Sequence, residues 1–84
     1  GNATNYTQAV MLAEGLIEEQ LAEEYLVEES DSGTFGADFP LHSWELEIVD
    51  TDQFELMEVM VTVKWTDRGK EKSFSLTTLS ADRI

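Results

Sequence analysis

Between residues 6 and 27 the apolar side chains return every three or four positions. Tyr6, Ala9, Val10, Leu12, Ala13, Leu16, Ile17 and Leu21 share one half of a helical wheel, and Glu14, Glu18 and Glu19 share the other. Ala, Leu, Met, Glu and Gln dominate the stretch, with Gly15 as its weak spot. The pattern predicts an amphipathic helix over about residues 4–29. Asn2, Thr4 and Asn5 are available as N-caps, although none precedes a convincing capping box. At the other end Glu23, Glu24, Glu28 and Glu29 sit where the helix dipole disfavours anions, so the last turn is expected to fray near Ser30.

The period then changes. Residues 30–40 hold two glycines, the only proline and several Ser and Asp residues, which predicts a loop. Trp44, Leu46 and Ile48 alternate with Glu45, Glu47 and Val49, the pattern of a half-buried strand. After a turn at residues 50–53, Met57, Val59, Val61, Val63 and Trp65 alternate with Glu58, Met60, Thr62 and Lys64 without a break. Gly69 suits a hairpin connection, and a further strand follows, facing inward through either Phe74, Leu76 and Thr78 or Ser75, Thr77 and Leu79. The expected fold is α+β: a long N-terminal helix packed on a three-stranded, or four-stranded, antiparallel meander over residues 41–80.

Eighty-four residues form one domain with one small core, and the absence of cysteine rules out disulfides and thiolate-bound metals as its support. An apolar content of 42% and eight aromatic side chains argue against disorder. Charge is unevenly spread. Residues 1–63 contain fifteen acids and no Lys or Arg; residues 64–84 contain three acids and five bases, so −15 and +2 give the formal −13. Such a chain has no basic surface with which to displace counterions from nucleic acid or to adhere to anionic lipid.

The residues offer little to catalysis. His42 is the sole imidazole, expected in a loop or at a strand edge, and its neighbour Ser43 lacks nucleophile-base geometry on an extended chain. Gly33-Thr34-Phe35-Gly36 has no lysine to complete a phosphate cradle. Asp50 with Asp52, or Asp31 with Ser30, Ser32 and Asp38, supplies hard oxygens but not the spacing of a calcium loop. The expectation is no enzyme, no cofactor and no metal site. The helix instead offers a partner-binding face made of Tyr6, Ala9, Val10, Ala13, Leu16 and Ile17, with Met11 beside it. A rival surface is the edge of the strand at residues 41–50, which would take an added strand from a partner in the manner of a small adaptor domain.

Four stretches, taken in order, resemble a known family. They are Asn5-x-x-x-Ala9-x-x-Leu12-Ala13-Glu14 with the following Leu16-Ile17-Glu18-Glu19-Gln20-Leu21; Gly33-Thr34-Phe35-Gly36 with Phe39-Pro40; Trp44-x-Leu46-x-Ile48; and Val59-x-Val61-x-Val63-x-Trp65 with Gly69 and Ser75-Leu76-Thr77-Thr78-Leu79. Together the chain resembles the soluble part of type IV pilin-like proteins, most closely the I-type minor pseudopilins of bacterial type II secretion systems. The minor pilins of type IV pili share the hairpin style and are the nearest alternative. The resemblance implies a pilin-like fold and a structural role. It implies a leader cleaved by a prepilin peptidase, with methylation of the new terminus, and a hydrophobic helix upstream of this segment that tethers the protein to the bacterial inner membrane by a single pass. This domain would then face the periplasm. J-type and K-type minor pseudopilins would be its partners in a hetero-oligomeric tip complex that initiates the pseudopilus and serves export of folded proteins. The unbroken acidity of residues 1–63 adds that pairing with less acidic partners is favoured over self-pairing through the helix.

Overall fold

The computed structural model describes residues 2–53 and 55–81, with the backbone alone for Asn2 and Ala3. One helix, α1 (Asn2–Leu21), is followed by four strands: β1 (Glu29–Thr34), β2 (His42–Asp50), β3 (Leu56–Asp67) and β4 (Lys70–Ala81). The strands form a single antiparallel sheet in the order β1-β2-β3-β4, so each pairs with its neighbour in sequence. This is an α+β domain with one helix laid on one face of the sheet. No helix among the described residues is long and apolar enough to cross a membrane.

The unbroken alternation in β3 makes it the centre of the core. Val59, Val61 and Val63 have no exposed surface, and Met57 and Trp65 are buried beside them. Each fully buried Val is worth roughly 1.5–3 kcal/mol relative to an exposed one. Register carries the same face into the neighbouring strands. Trp44, Leu46 and Ile48 stand opposite Val63, Val61 and Val59 on one side, and Phe74, Leu76 and Thr78 stand opposite the same three on the other. That pairing decides the inward set of β4 in favour of Phe74, Leu76 and Thr78. α1 lies chiefly across β3 and β4. Ala9 and Ala13 meet the sheet with no exposed surface, and their small side chains let the helix backbone approach closely.

Three expectations are corrected. The helix ends at Leu21, not near residue 29. Ala22 N–H still makes an α-helical bond to the Glu18 carbonyl at 3.1 Å, and the turn then tightens as Glu23 N–H donates to the Gln20 carbonyl at 3.1 Å. Beyond it the clustered glutamates gain nothing from helix, and Leu26 turns inward to be buried against the core. The helix also begins before Thr4 and Asn5, which are therefore interior residues and not N-caps; the cap side chain proposed at Asn2 lies outside the described residues. Finally, residues 30–34 of the expected loop belong to β1, the fourth strand of the sheet.

Two turns fix the registers. Thr51 N–H donates to the Leu56 carbonyl at 3.1 Å and the Thr51 hydroxyl to the same oxygen at 2.8 Å, closing the β2–β3 connection. In the β3–β4 turn both central residues have positive φ, Arg68 at 54° and Gly69 at 78°, the signature of a two-residue type I′ hairpin. Such a turn makes Asp67 and Lys70 a hydrogen-bonded pair. Counting by twos, Lys72, Phe74, Leu76, Thr78 and Ser80 bond to β3, whereas Ser73, Ser75, Thr77 and Leu79 turn their backbone groups away from it.

The sheet face away from the helix mixes polar side chains with the apolar Val49, Leu56, Met60 and Leu79. Lys64 Nζ donates to Glu45 Oε2 at 2.9 Å, and the Thr62 and Ser75 hydroxyls share a bond of 2.8 Å. The hydrogen bond to Glu45, then its charge, raises the pKa of Lys64 above the ordinary 10.5. A raised folded-state pKa means the pair's contribution is complete below the ordinary lysine value and is lost as pH climbs through the raised one. Glu45→Gln should therefore lower the Lys64 titration midpoint, as read by NMR of the ζ-ammonium group. It should leave the neutral-pH melting temperature almost unchanged, because the pair is solvent-screened. An unmoved Lys64 midpoint would show that the pair does not persist in solution.

Candidate interaction surface

The six helix residues expected to bind a partner divide into three groups. Ala9 and Ala13 are wholly buried against the domain's own sheet, so they are removed from any exposed partner face. Leu16 and Ile17 are half-buried and pack on the core. Tyr6 keeps 51% of its surface exposed while its ring meets Trp65 edge-on at 6.2 Å and Phe74 at 5.7 Å. Val10 is half-exposed on the same flank, and Met11 is 54% exposed. The wheel explains the split. At 100° per residue the centre of contact runs through Ala9, Ala13 and Leu16, and Tyr6, Ile17 and Val10 rotate progressively away from it.

That flank overlooks β4. Met11, Glu14, Ile17, Glu18 and Leu76 line a groove between the helix and the strand. The apolar floor comes from Ile17 and Leu76, and the two carboxylates stand on its rim. Sequence periodicity identified Tyr6, Val10 and Ile17, with Met11 set beside them, but not Leu76, whose place in the groove depends on the β3–β4 register.

His42 also departs from expectation. It is the first residue of β2, at the end of the strand and not in a loop, yet it is only 3% exposed. Its Nε2 lies 3.1 Å from the Asn5 carbonyl, an acceptor, so this nitrogen carries the hydrogen and ties the start of the sheet to the first turns of α1. The ring packs on Trp65 with centroids 5.7 Å apart and meets Phe39 edge-on at 6.5 Å. Nδ1 is buried without a hydrogen-bond partner among the described residues. Ser43, the next residue in the strand, projects to the opposite face, so the two do not form a catalytic pair.

The oxygen ligands considered for calcium are dispersed. Asp31 faces the helix side of β1 and accepts the Ser32 N–H at 2.8 Å, whereas Ser30 and Ser32 face the other side. Asp38 belongs to the later turn. Among the described residues no three His, Cys, Asp or Glu side chains converge on a point where a metal ion would sit. A shallow hollow on the open sheet face is floored by Met60 and Thr62 and rimmed by Ser30, Ser32, Glu45 and Glu47. It is broad and solvent-facing, with no walled space in which two carboxyls would acquire different acidities.

The edge of β2 that sequence reading offered for strand addition is occupied on both sides, by β1 and by β3. Among the described strands the free edges belong to β1 and β4. No protein-family model matches the chain, and comparison with curated proteins and with solved structures finds no match.

Proposed function

We propose that the domain is an assembly subunit of pilin-like type, acting as a minor pseudopilin in the tip complex of a type II secretion pseudopilus. The observation that carries this reading is the half-committed helix. α1 uses Ala9, Ala13 and Leu16 for its own sheet and leaves Tyr6 exposed and Val10 half-exposed along one flank. A helix with a second apolar flank suits packing against helices of other subunits. The order of elements, one N-terminal helix and then an antiparallel meander, suits the same role. On this reading the J-type and K-type minor pseudopilins are the partners, the domain faces the periplasm, and chemistry is not its task.

Val10→Glu tests the assignment. Val10 is half-exposed and does not pack on the core, so the substitution should change stability by only about 0.5 kcal/mol, as surface changes usually do. Co-purification with the soluble domains of J-type and K-type minor pseudopilins should weaken by about tenfold or more, since a carboxylate would be desolvated in the helix contact. Full retention of the complex by this variant, or no complex with the unsubstituted chain, would overturn the reading.

A further inference from the structure

The two free edges of the sheet are built differently. β1 is six residues long, and its Glu29 and Asp31 guard it with charge. β4 runs for twelve residues, and residues 73–81 contain no charged side chain and no proline. Natural sheets protect long edges with charge, proline or bulges, because unpaired backbone groups invite another strand. Here one edge has that protection and the other lacks it. Ser73, Ser75, Thr77 and Leu79 hold backbone N–H and C=O groups directed away from β3, and no described strand pairs with them.

We propose that the outer edge of β4 is a docking site for an extended, basic segment of a partner protein, which adds as a fifth strand beside the α1 groove. The groove decides the chemistry of the occupant. A strand added there projects alternate side chains toward α1, into the space lined by Met11, Ile17 and Leu76 and rimmed by Glu14 and Glu18. Apolar residues fit the floor, and Lys or Arg to either side of them meets the two carboxylates. None of the chain's own described cations serves that rim. Lys70 and Lys72 sit at the start of β4, Arg68 in the turn before it, and Lys64 bonds Glu45 on the opposite face.

A second copy of the chain fits less well. Antiparallel pairing of two β4 edges around a twofold axis keeps both helices on the same side of the joined sheet. Glu14 and Glu18 of each copy would then face their counterparts across the same cleft. Like charges so placed select against the homodimer and for a basic partner. The site does not depend on the pilin-like role, since it uses the strand edge and not Val10.

The probe is a synthetic nine-residue peptide of alternating threonines whose other face carries lysine, valine, valine and lysine, compared with its glutamate-for-lysine counterpart. The lysine peptide should slow hydrogen exchange at the Ser75 and Thr77 amides, which face outward, and leave those of Leu76 and Thr78 unchanged. The glutamate peptide should bind at least about tenfold more weakly. Thr77→Pro should weaken the lysine peptide by about tenfold or more, because it removes an outward N–H without breaking a bond to β3. Glu14→Lys with Glu18→Lys, both at exposed positions, should reverse the peptide preference in a domain that melts normally. The site is overturned if neither peptide binds at millimolar concentration, or if protection maps to β1. Equal binding of the two peptides also overturns it, and so does concentration-dependent protection of Ser75 and Thr77 without peptide, which would make the occupant a second copy.

Discussion

Replacing Ala13 with Glu should unfold the domain or lower its melting temperature by roughly 15–30 °C, corresponding to about 4 kcal/mol or more. Ala13 has no exposed surface and sits where α1 meets the sheet, close to the fully buried valines of β3. A longer side chain there forces helix and sheet apart, at about 1–3 kcal/mol for overpacking alone. The charge adds several kcal/mol, because no cation among the buried residues would pair with it. A chain of this size has a total stability of only about 4–12 kcal/mol, so the change removes much or all of it. Ala13→Gln separates the two causes: it keeps the volume, removes the charge and should recover part of the loss. Thermal unfolding followed by circular dichroism gives the answer. A variant that melts within about 4 °C of the parent would mean that Ala13 faces outward and belongs to a partner surface.

That outcome differs sharply from the one expected for Val10→Glu, although sequence periodicity puts Ala13 and Val10 on the same half of the helix. A wheel locates the apolar arc but not its division between the domain's own sheet and an outside surface. The division depends on where the helix crosses the sheet. Because α1 lies over β3 and β4, the residues at the centre of the arc go inward and those on the Tyr6–Val10 flank stay open. Alanine is the clue that a finer reading of the sequence would use. Two small residues four apart suit the line of closest approach, whereas Tyr6 and Val10 suit a looser flank.

β2, β3 and β4 were legible because their side chains alternate and bury accordingly. β1 was not. Its sequence, Glu-Ser-Asp-Ser-Gly-Thr, has almost no β-branched or aromatic content and reads as a turn. It is a strand because β2 offers it a row of partners, from Ile48 opposite Glu29 to Ser43 opposite Thr34. Such pairing is non-local and leaves no periodic trace in the segment itself. His42 was misplaced for a related reason. Its burial depends on Asn5 and Trp65, residues far from it in sequence, and a lone histidine after a proline-containing loop carries no mark of either. The edge character of β4 was hidden too, because nothing in a strand's own composition says whether another strand lies beyond it.

Gly33→Val should destabilise the domain by about 2–4 kcal/mol, an overpacking cost joined by the loss of one hydrogen bond. A Cβ built on Gly33 would lie 2.8 Å from Cζ2 of Trp44 and 3.0 Å from Cε2. These are cross-strand neighbours in register, and the indole lies over the glycine so that its Nε1–H reaches the Thr34 carbonyl at 3.2 Å. The contact works from both sides: the missing side chain makes room for the ring, and the ring's hydrogen bond ties down the end of an otherwise weakly specified strand. Any side chain at Gly33 has to move a half-buried indole off its hydrogen bond or push β1 away from β2. Tryptophan emission distinguishes these results from a general loss of stability. A displaced Trp44 should shift the spectrum to the red before the thermal transition begins, and amide exchange should quicken in β1 while β3 stays protected until global unfolding. An unchanged spectrum together with unchanged exchange in β1 would show that the ring does not rest on Gly33. The effect also bears on the two-edged design of the sheet. If β1 is released, the acidic edge is lost and β2 becomes a second open edge, so the variant should self-associate where the parent does not.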